Sequence, residues 1–503
     1  VAALREHWID RLTAPVAPIW TLRRQRARTA AVLLRHYEAA SGGRRTQNWY
    51  RANADANAVL GPALSHIRAS ARDLVRNNPY AESALSTIAD HAVGWGIAAK
   101  PEPKNARVEE VWKSWADSTA CDADGRHDFY GLQKLVMRTV VESGEVLVRR
   151  RIRRVEDGWP LPVQIQVIEP DYLDTSKDAE LSNGGRITHG VEFDVLGRRA
   201  AYWMFREHPG SARMTQSGVS HRVPASEVLH VFRGTRAGQV RAASWLAPVL
   251  LRFKDFDEFE DATLMKQKIA ACLAVITSDV DGSGPALGTA DDTATPAVDS
   301  LEPGMILNVP PGRNISVVSP PATNGEYGPY AQSVLRAIAT GIGVTYEDLT
   351  GDYTNMPFSA ARMSRLRHWS RVEDWRWRML IPQFCIPAWG WAMEAARVLG
   401  RVDGAPGVRW SPPPMPMIEP DKEGLAYQRK IRNGLQSLPE ALRELGYEPD
   451  EVFDEMAETN KTLDALGLIL DSDPRKMTQA GQLQGAAKPD DTGAPPDAEE
   501  TEP

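Results

Sequence analysis

Four carboxylates, Glu142, Glu145, Asp171 and Asp174, are by type the residues most able to hold divalent ions for phosphodiester cleavage. That chemistry needs acids converging beside a basic partner at one strand end. Their spacing does not bring them to such an end, so a metal-dependent DNA-processing enzyme is kept only as an alternative. Asp122, Asp124 and Asp128 begin like a calcium loop, but the later ligand and glycine positions are wrong, and Gln133 stands where a bidentate glutamate belongs. The Gly-Lys pair of a phosphate cradle never occurs, and Gly282, Gly284 and Gly288 are misspaced for a dinucleotide fingerprint. The histidine pair of a zincin and the Gly-x-Ser-x-Gly elbow are missing as well. Cys121, Cys272 and Cys385 are too dispersed to pair at zinc or redox spacing, which leaves them a packing role and points to a reducing compartment. No catalytic residue, cofactor or metal is assigned.

A second cluster suggests contact rather than catalysis. Arg362, Arg365, Arg367, Arg371, Arg376 and Arg378 alternate with Trp369, Trp375 and Trp377. Such a helix could stack on bases and touch phosphates, which is the alternative reading of a soluble DNA-binding regulator. Tryptophans at helical spacing more often anchor cores or interfaces, so Trp369, Trp375, Trp377 and Arg371 are assigned to a subunit interface.

These residues must be positioned by a large chain. It has 503 residues, 42% of them hydrophobic, enough for two to four compact units. The net charge of −7 gives no global attraction for nucleic acid. No apolar run is long enough for a membrane span, and the start lacks the apolar stretch of a signal peptide, so a soluble, non-membrane protein is expected. The charge is uneven. Ten arginines fall between Arg5 and Arg51, whereas fourteen acids follow from Asp450 onward; the last part, from about Asp471, has no apolar periodicity and should be a mobile tail.

Between these ends, helical spacing runs from Asp55 to Ala92 with a break at Asn77-Asn78-Pro79. After a helix ending near Ser143, β-branched alternation at Val146 to Arg150, Val163 to Ile168, Val191 to Val195, Ala201 to Phe205 and Val228 to Phe232 predicts an α+β domain. Ser244 to Cys272 reads as one long helix, apolar through Leu246, Val249, Leu250, Phe253, Phe256 and Leu264, with Asp255, Asp257, Glu258, Glu260 and Asp261 on its acidic side. A Gly- and Pro-rich insertion follows, with strand candidates at Met305 to Val309 and Ile315 to Val318. Then come a helix from Tyr330 to Ile342, a glycine-punctuated loop and a second long helix from Ser359 to Leu399, interrupted by Pro382 and Pro387. Helix, insertion, helix, loop, long helix is an insertion carried on a helical hairpin.

Several segments then point to one family. Asp73-Leu74-Val75-Arg76-Asn77-Asn78-Pro79-Tyr80-Ala81, Gly94-Trp95-Gly96-Ile97, Ile168-Glu169-Pro170-Asp171, Gly190-Val191-Glu192 and His208-Pro209-Gly210 resemble the wing region of lambda-type phage portal proteins. The order continues with His230-Val231-Phe232-Arg233, Gly238-Gln239-Val240-Arg241, Trp245-Leu246-Ala247-Pro248-Val249-Leu250, Leu301-Glu302-Pro303-Gly304, Gln383-Phe384-Cys385 and Asp421-Lys422-Glu423. The similarity spans roughly Arg23 to Leu468.

The resemblance implies a portal fold of α+β wing, helical stem, small α/β clip and α-helical crown. It implies assembly of identical copies into a ring, usually a dodecamer, at the unique capsid vertex of a virion built in the host cytoplasm. The expected divisions are a basic arm at 1–50, wing at 51–243, first stem helix at 244–273, clip at 274–329, second stem helix at 330–345, tunnel loop at 346–358, long wing helix at 359–400, crown at 401–468 and acidic tail at 469–503. The expected partners are other copies of the chain, major capsid or scaffold protein, the terminase large subunit, a head-completion or adaptor protein, and double-stranded DNA in the channel. Asp255, Glu258, Asp261, Tyr353, Asn355, Met356 and Phe358 are expected to line that channel, and no enzymatic activity is expected.

Overall fold

The computed structural model describes residues 19–20, 23–24, 53–211, 218–271, 274–279, 313–318, 327–354, 356–470 and 475. The expectations for the basic arm (apart from those two residue pairs), for Met305 to Val309 and most of the clip, for Cys272, for Asn355 and for nearly all of the acidic tail lie outside the described residues. The chain divides into two units, Val1–Val59 and Leu60–Pro503. In the first, the Arg24 guanidinium lies 5.7 Å above the Trp20 ring.

The break foreseen at Asn77-Asn78-Pro79 separates helices α1 (Leu64–Asn77) and α2 (Pro79–Val93). Asn78 is extended at φ −112°, and its side-chain oxygen accepts from the backbone N–H groups of Tyr80 and Ala81, both at 3.0 Å. Pro79 occupies the first helical position, where its missing N–H costs nothing. Next come α3 (Ala106–Ala116) and α4 (Phe129–Ser143). Gly144 ends α4 at φ 90°, and a β-carbon there would lie 2.2 Å from the Ala243 carbonyl carbon, so only glycine fits between the helix and the returning chain.

Among the described residues the strands form four antiparallel sheets. Strand β1 (Ala98–Glu102) pairs with the distant β12 (Gly407–Ser411), closing the two ends of the domain on each other. Strand β2 (Glu145–Ile152) is the centre of a three-stranded sheet, flanked by β3 (Val163–Ile168) and β9 (Val228–Phe232). Strands β4 (Ala179–Glu180), β5 (Arg186–Thr188), β6 (Val191–Phe193), β7 (Arg199–Met204) and β8 (His221–Pro224) form a meander in sequence order. A small core of Leu147, Val191, Phe193, Tyr202, Met204 and Val223 lies beneath these sheets. In the insertion, β10 (Ala274–Asp279) pairs with β11 (Arg313–Val318), in register from Ala274 opposite Val318 to Asp279 opposite Arg313.

The larger core is aromatic. Trp112 packs 4.8 Å from Trp389 and 5.0 Å from Phe129, and Phe129 stacks on Phe384 at 5.4 Å. The indole N–H groups of Trp115, Trp389 and Trp391 donate to the carbonyls of Val163, Pro406 and Ser226, so their polar ends are satisfied under cover.

Three expectations need correction. The helix expected over 244–273 begins only at Leu250: α5 is Leu250–Ala271, 22 residues and about 33 Å long. Ser244 starts a run of turns instead, its hydroxyl accepting from Leu246 N–H at 3.1 Å. The loop expected over 346–358 contains a helix, α7 (Tyr346–Thr350), capped by the Thr345 hydroxyl on Asp348 N–H; this follows α6 (Tyr327–Ile342). Pro382 and Pro387 do not interrupt the long helix. After α8 (Phe358–Trp375) the chain widens into a π-helical stretch, Arg376–Cys385, and continues directly as α9 (Ile386–Val398). The wider turn accommodates Pro382, and Pro387 falls in the first turn of α9, where proline is tolerated. Helices α10 (Pro420–Arg432), α11 (Leu438–Glu444) and α12 (Pro449–Leu466) complete the described chain.

Candidate functional site

Helix α5 divides its acids between two faces. Phe253 and Phe256 are buried, and Phe256 meets Tyr80 edge-on at 6.1 Å. On the packed side, Asp257 accepts from the Asn78 amide at 2.6 Å, while burial raises its pKa. Glu260 accepts from the Tyr327 hydroxyl of α6 at 2.6 Å, next to Phe259, which packs 4.4 Å from Tyr330. Asp255, Glu258 and Asp261 are all exposed, one every three residues along the opposite face. Lys254 reaches Glu258 at 3.7 Å, an exposed contact of little energy. The face is an acidic band bounded by Arg252 and Lys254 at one end and Lys266 and Lys268 at the other.

The apolar stripe of α5 is shorter than its sequence suggests. Leu246, Val249, Phe253 and Phe256 are buried, but Leu264 and Met265 are exposed. Close contact with α6 is set near the start, where a β-carbon on Gly341 would fall 2.4 Å from Val249 Cγ1.

The residues of the expected tunnel loop lie on one short segment. Tyr353 and Phe358 are 60% and 53% exposed, Met356 is half-buried, and the exposed apolar surface continues onto α8 through Met363 and Leu366. Sequence reading missed the last two. The usable signal was that, between Phe358 and Trp369, Met363 and Leu366 are flanked by arginines rather than by an apolar stripe at helical spacing.

The Arg/Trp cluster has three environments. Trp375 is 4% exposed and packs on Trp245 at 5.2 Å and against His368, so it belongs to the core of its own chain rather than to an outer surface. Trp369 is half-buried beneath the Arg376 guanidinium at 4.8 Å, while Trp377 is 49% exposed. Trp377, Arg371 and the edge of Trp375 come together in an open cleft of about 710 Å³, along with Arg233, Gly343 and Asp374. Arg376 is buried, donating to the carbonyls of Ala92, His91 and Pro413 and pairing with Glu373. Arg362 reaches Glu419 and Glu423 at 3.7 and 3.9 Å.

The four carboxylates considered for cleavage chemistry are differently employed. Glu145, fully buried at the head of β2, accepts from Arg68 at 3.0 Å, Arg241 Nε at 2.8 Å, His230 Nε2 at 2.9 Å and Ala242 N–H at 3.1 Å. Burial alone would raise its pKa, but the Arg241 and His230 partners outweigh it and hold the carboxyl well below the usual range. His230 is pushed down to about 4, chiefly by burial, and is therefore neutral; its Nε2–H serves Glu145 while Nδ1 accepts from Arg199 at 2.6 Å. Asp171 takes Arg68 at 3.2 Å and Arg72 at 2.7 Å. Asp174 accepts from the Ser176 and Ser220 hydroxyls, both at 2.6 Å, and Glu142 has its pKa raised, mainly by burial. Glu145 and Asp171 are brought together through Arg68, but guanidinium groups already occupy the oxygens a metal ion would need. Cys121 and Cys385 are buried, and burial pushes both thiols upward, as packing residues require. Among the described residues no helix is long and apolar enough to cross a membrane.

Comparison with known proteins gives a consistent set of relatives. The family model described as phage portal protein, lambda family, matches residues 42–376. The chain is 26% identical over 476 residues to the probable portal protein of Halomonas phage phiHAP-1, covering 88% of this chain and 90% of that one. It is 25% identical over 406 residues to the portal protein of Escherichia phage N15, covering 72% and 76%. Portal protein B of Escherichia phage lambda is 24% identical over 380 residues, covering 67% and 71%. Among solved structures, the neck of an empty gene transfer agent particle computed with C6 symmetry aligns at 13% identity and a TM-score of 0.46, covering 77% of this chain and 94% of that one.

Proposed function

The chain belongs to the lambda family of phage portal proteins, and from that premise we propose that it forms the ring at the unique capsid vertex through which double-stranded DNA is packaged and ejected. The observation that carries this is the family match along residues 42–376, from before α1 through the end of α8. The ring docks the terminase large subunit during filling and a head-completion or adaptor protein afterwards, through the insertion that contains β10 and β11. The wing meets capsid or scaffold protein.

The exposed acids of α5 support a role for that helix at the bore. Duplex DNA carries one charge about every 1.7 Å, so a wall rich in lysine would grip it, whereas Asp255, Glu258 and Asp261 repel it and let it slide. Tyr353 and Phe358, at the tip between α7 and α8, supply apolar contact to the passing duplex. The conduit itself needs no active site, because ATP hydrolysis belongs to the docked motor. Trp377 and Arg371, at the open cleft, are the residues we assign to contact between copies. The DNA-binding regulator reading is weakened by the burial of Trp375 and Arg376.

Negative-stain imaging of the purified full chain tests the proposal. Annular particles with a central opening are expected; a preparation that stays monomeric at high concentration overturns it. In a packaging reaction, removing residues 351–357 is expected to reduce genome retention while rings still form.

A further inference from the structure

Three side chains at the base of the Tyr353 loop form a cluster with metal-ligand chemistry that the ring function does not use. Ser83, Thr87 and His91 are spaced by four residues and so share one face of α2. The Ser83 hydroxyl donates to Leu349 O at 3.0 Å and the Thr87 hydroxyl to Asp348 O at 3.4 Å, which pins α7 along that face. His91, next on the same face, is thereby set beside Asp348. From α8, the buried His368 places Nε2 2.9 Å from His91 Nδ1. The ligand atoms of His91, Asp348 and His368 all lie within 4.8 Å of one another.

The surroundings favour a metal ligand set. His368 Nδ1 faces the Gly343 carbonyl at 3.3 Å; a proton held there leaves the Nε2 lone pair directed into the cluster, the outer-shell arrangement that orients metal-binding histidines. His91 packs against Trp369 and His368 against Trp375, so both rings are held from the side. Among the described residues, Asp348 makes no ion pair with lysine or arginine; it is half-buried, and its carboxylate partner is the neutral Tyr353 hydroxyl, which leaves its charge uncompensated. The other histidine–carboxylate trio, Glu169, Asp171 and His208, lacks this freedom: Arg72 pairs with both acids and Arg68 with Asp171.

We propose that His91, His368 and Asp348 form a binding site for a zinc-class divalent cation, with water as fourth ligand, that clips α7 to α2 and α8. Two imidazoles and one carboxylate match the three-protein-ligand sets of zinc and are too nitrogen-rich and too few for calcium or magnesium. The metal takes the place of the proton now shared between the two rings. Nearby Arg365, Arg371 and Arg376 moderate the affinity, although the Arg376 guanidinium is committed to Glu373 and backbone carbonyls. The site does not depend on ring formation.

Cobalt(II) provides the probe. Titration of the full chain, freed of any affinity tag, is expected to develop a visible d–d absorption that saturates at one ion per chain and is displaced by zinc. Asp348→Asn and His91→Ala are each expected to weaken binding at least about tenfold, with metal-free circular dichroism unchanged. His208→Ala is expected to leave binding intact. Absence of a saturable band, equal affinity in Asp348→Asn, or loss of binding in His208→Ala would each overturn the assignment. Asp348 is half-exposed, so the test holds even if His91→Ala fails to fold.

Discussion

The wing and the α5–α8 region solve opposite problems with the same chain. Around Glu145 and the Trp112–Phe129–Phe384 cluster, the packed aromatic side chains are buried and the central charge is met by donors from four groups. Along α5 and the start of α8, one face is packed and the other carries acids beside exposed Leu264, Met265, Met363 and Leu366. The wing core is closed within one chain, although Trp95, Ile152, Val195 and Leu196 remain exposed at its surface. The second region has an outer face whose composition suits contact with something else, which in our reading is the neighbouring copy or the duplex. Burial of polar groups therefore marks stability here, and exposure of apolar ones marks assembly.

The contrast is broken most severely by Glu145→Ala, which leaves two buried guanidinium groups facing each other. A loss of about 3–5 kcal/mol is expected in urea unfolding, and a loss under 1 kcal/mol would show that the network is peripheral. The second test is pH. His230 binds a proton more weakly folded than unfolded, so between its ordinary pKa and about 4 the unfolded chain carries more protons. Stability should fall as pH drops through this window, with a slope approaching about 1.4 kcal/mol per unit. Glu145, whose folded pKa is depressed, holds its contribution above the ordinary carboxylate pKa and loses it only at more acidic pH. His230→Gln should flatten the first part of the profile, and an unchanged slope would assign it elsewhere.

A smaller effect is expected at the junction of the two regions. Asn78→Ala removes the cap of α2 and the partner of Asp257, at a cost of about 1–2 kcal/mol in thermal or chemical unfolding. Smallest for folding, the triple change Asp255→Asn, Glu258→Gln, Asp261→Asn should alter stability by no more than about 0.5 kcal/mol. The same variant should slow DNA movement through assembled rings. A large loss of folding stability would mean these acids hold the helix together instead.

Much of the wing was legible from the chain. Asn77-Asn78-Pro79 announced a helix break because it joins a capping side chain to a proline at the first helical position, and the alternation of β2, β3 and β9 marked a half-covered sheet. Glu145 was read for its chemistry rather than its neighbourhood. An acid set directly against the apolar run Val146-Leu147-Val148 has to be buried and paired, and its partners Arg68, His230 and Arg241 are 77, 85 and 96 residues away, beyond any local pattern. The late start of α5 and the uninterrupted passage through Pro382 were hidden for a related reason. Local propensity predicts where a helix is comfortable, whereas tertiary packing of Leu380, Ile381 and Phe384 decides whether a wider turn is tolerated. The acids of α5 were identified in the sequence, with Asp255, Glu258 and Asp261 chosen for the channel; that Asp257 and Glu260 are instead engaged by Asn78 and Tyr327 required the positions of α2 and α6.

The Asn78 amide has one further consequence. Its oxygen is committed to the first turn of α2 and its nitrogen to Asp257, so the side chain cannot follow α5 if that helix tilts away from α1 and α2. Any such swing strands a carboxylate in a sheltered place or strips two N–H groups of their acceptor. A displacement of α5 is thus felt at the root of α2 through this amide, beside the Tyr80–Phe256 contact.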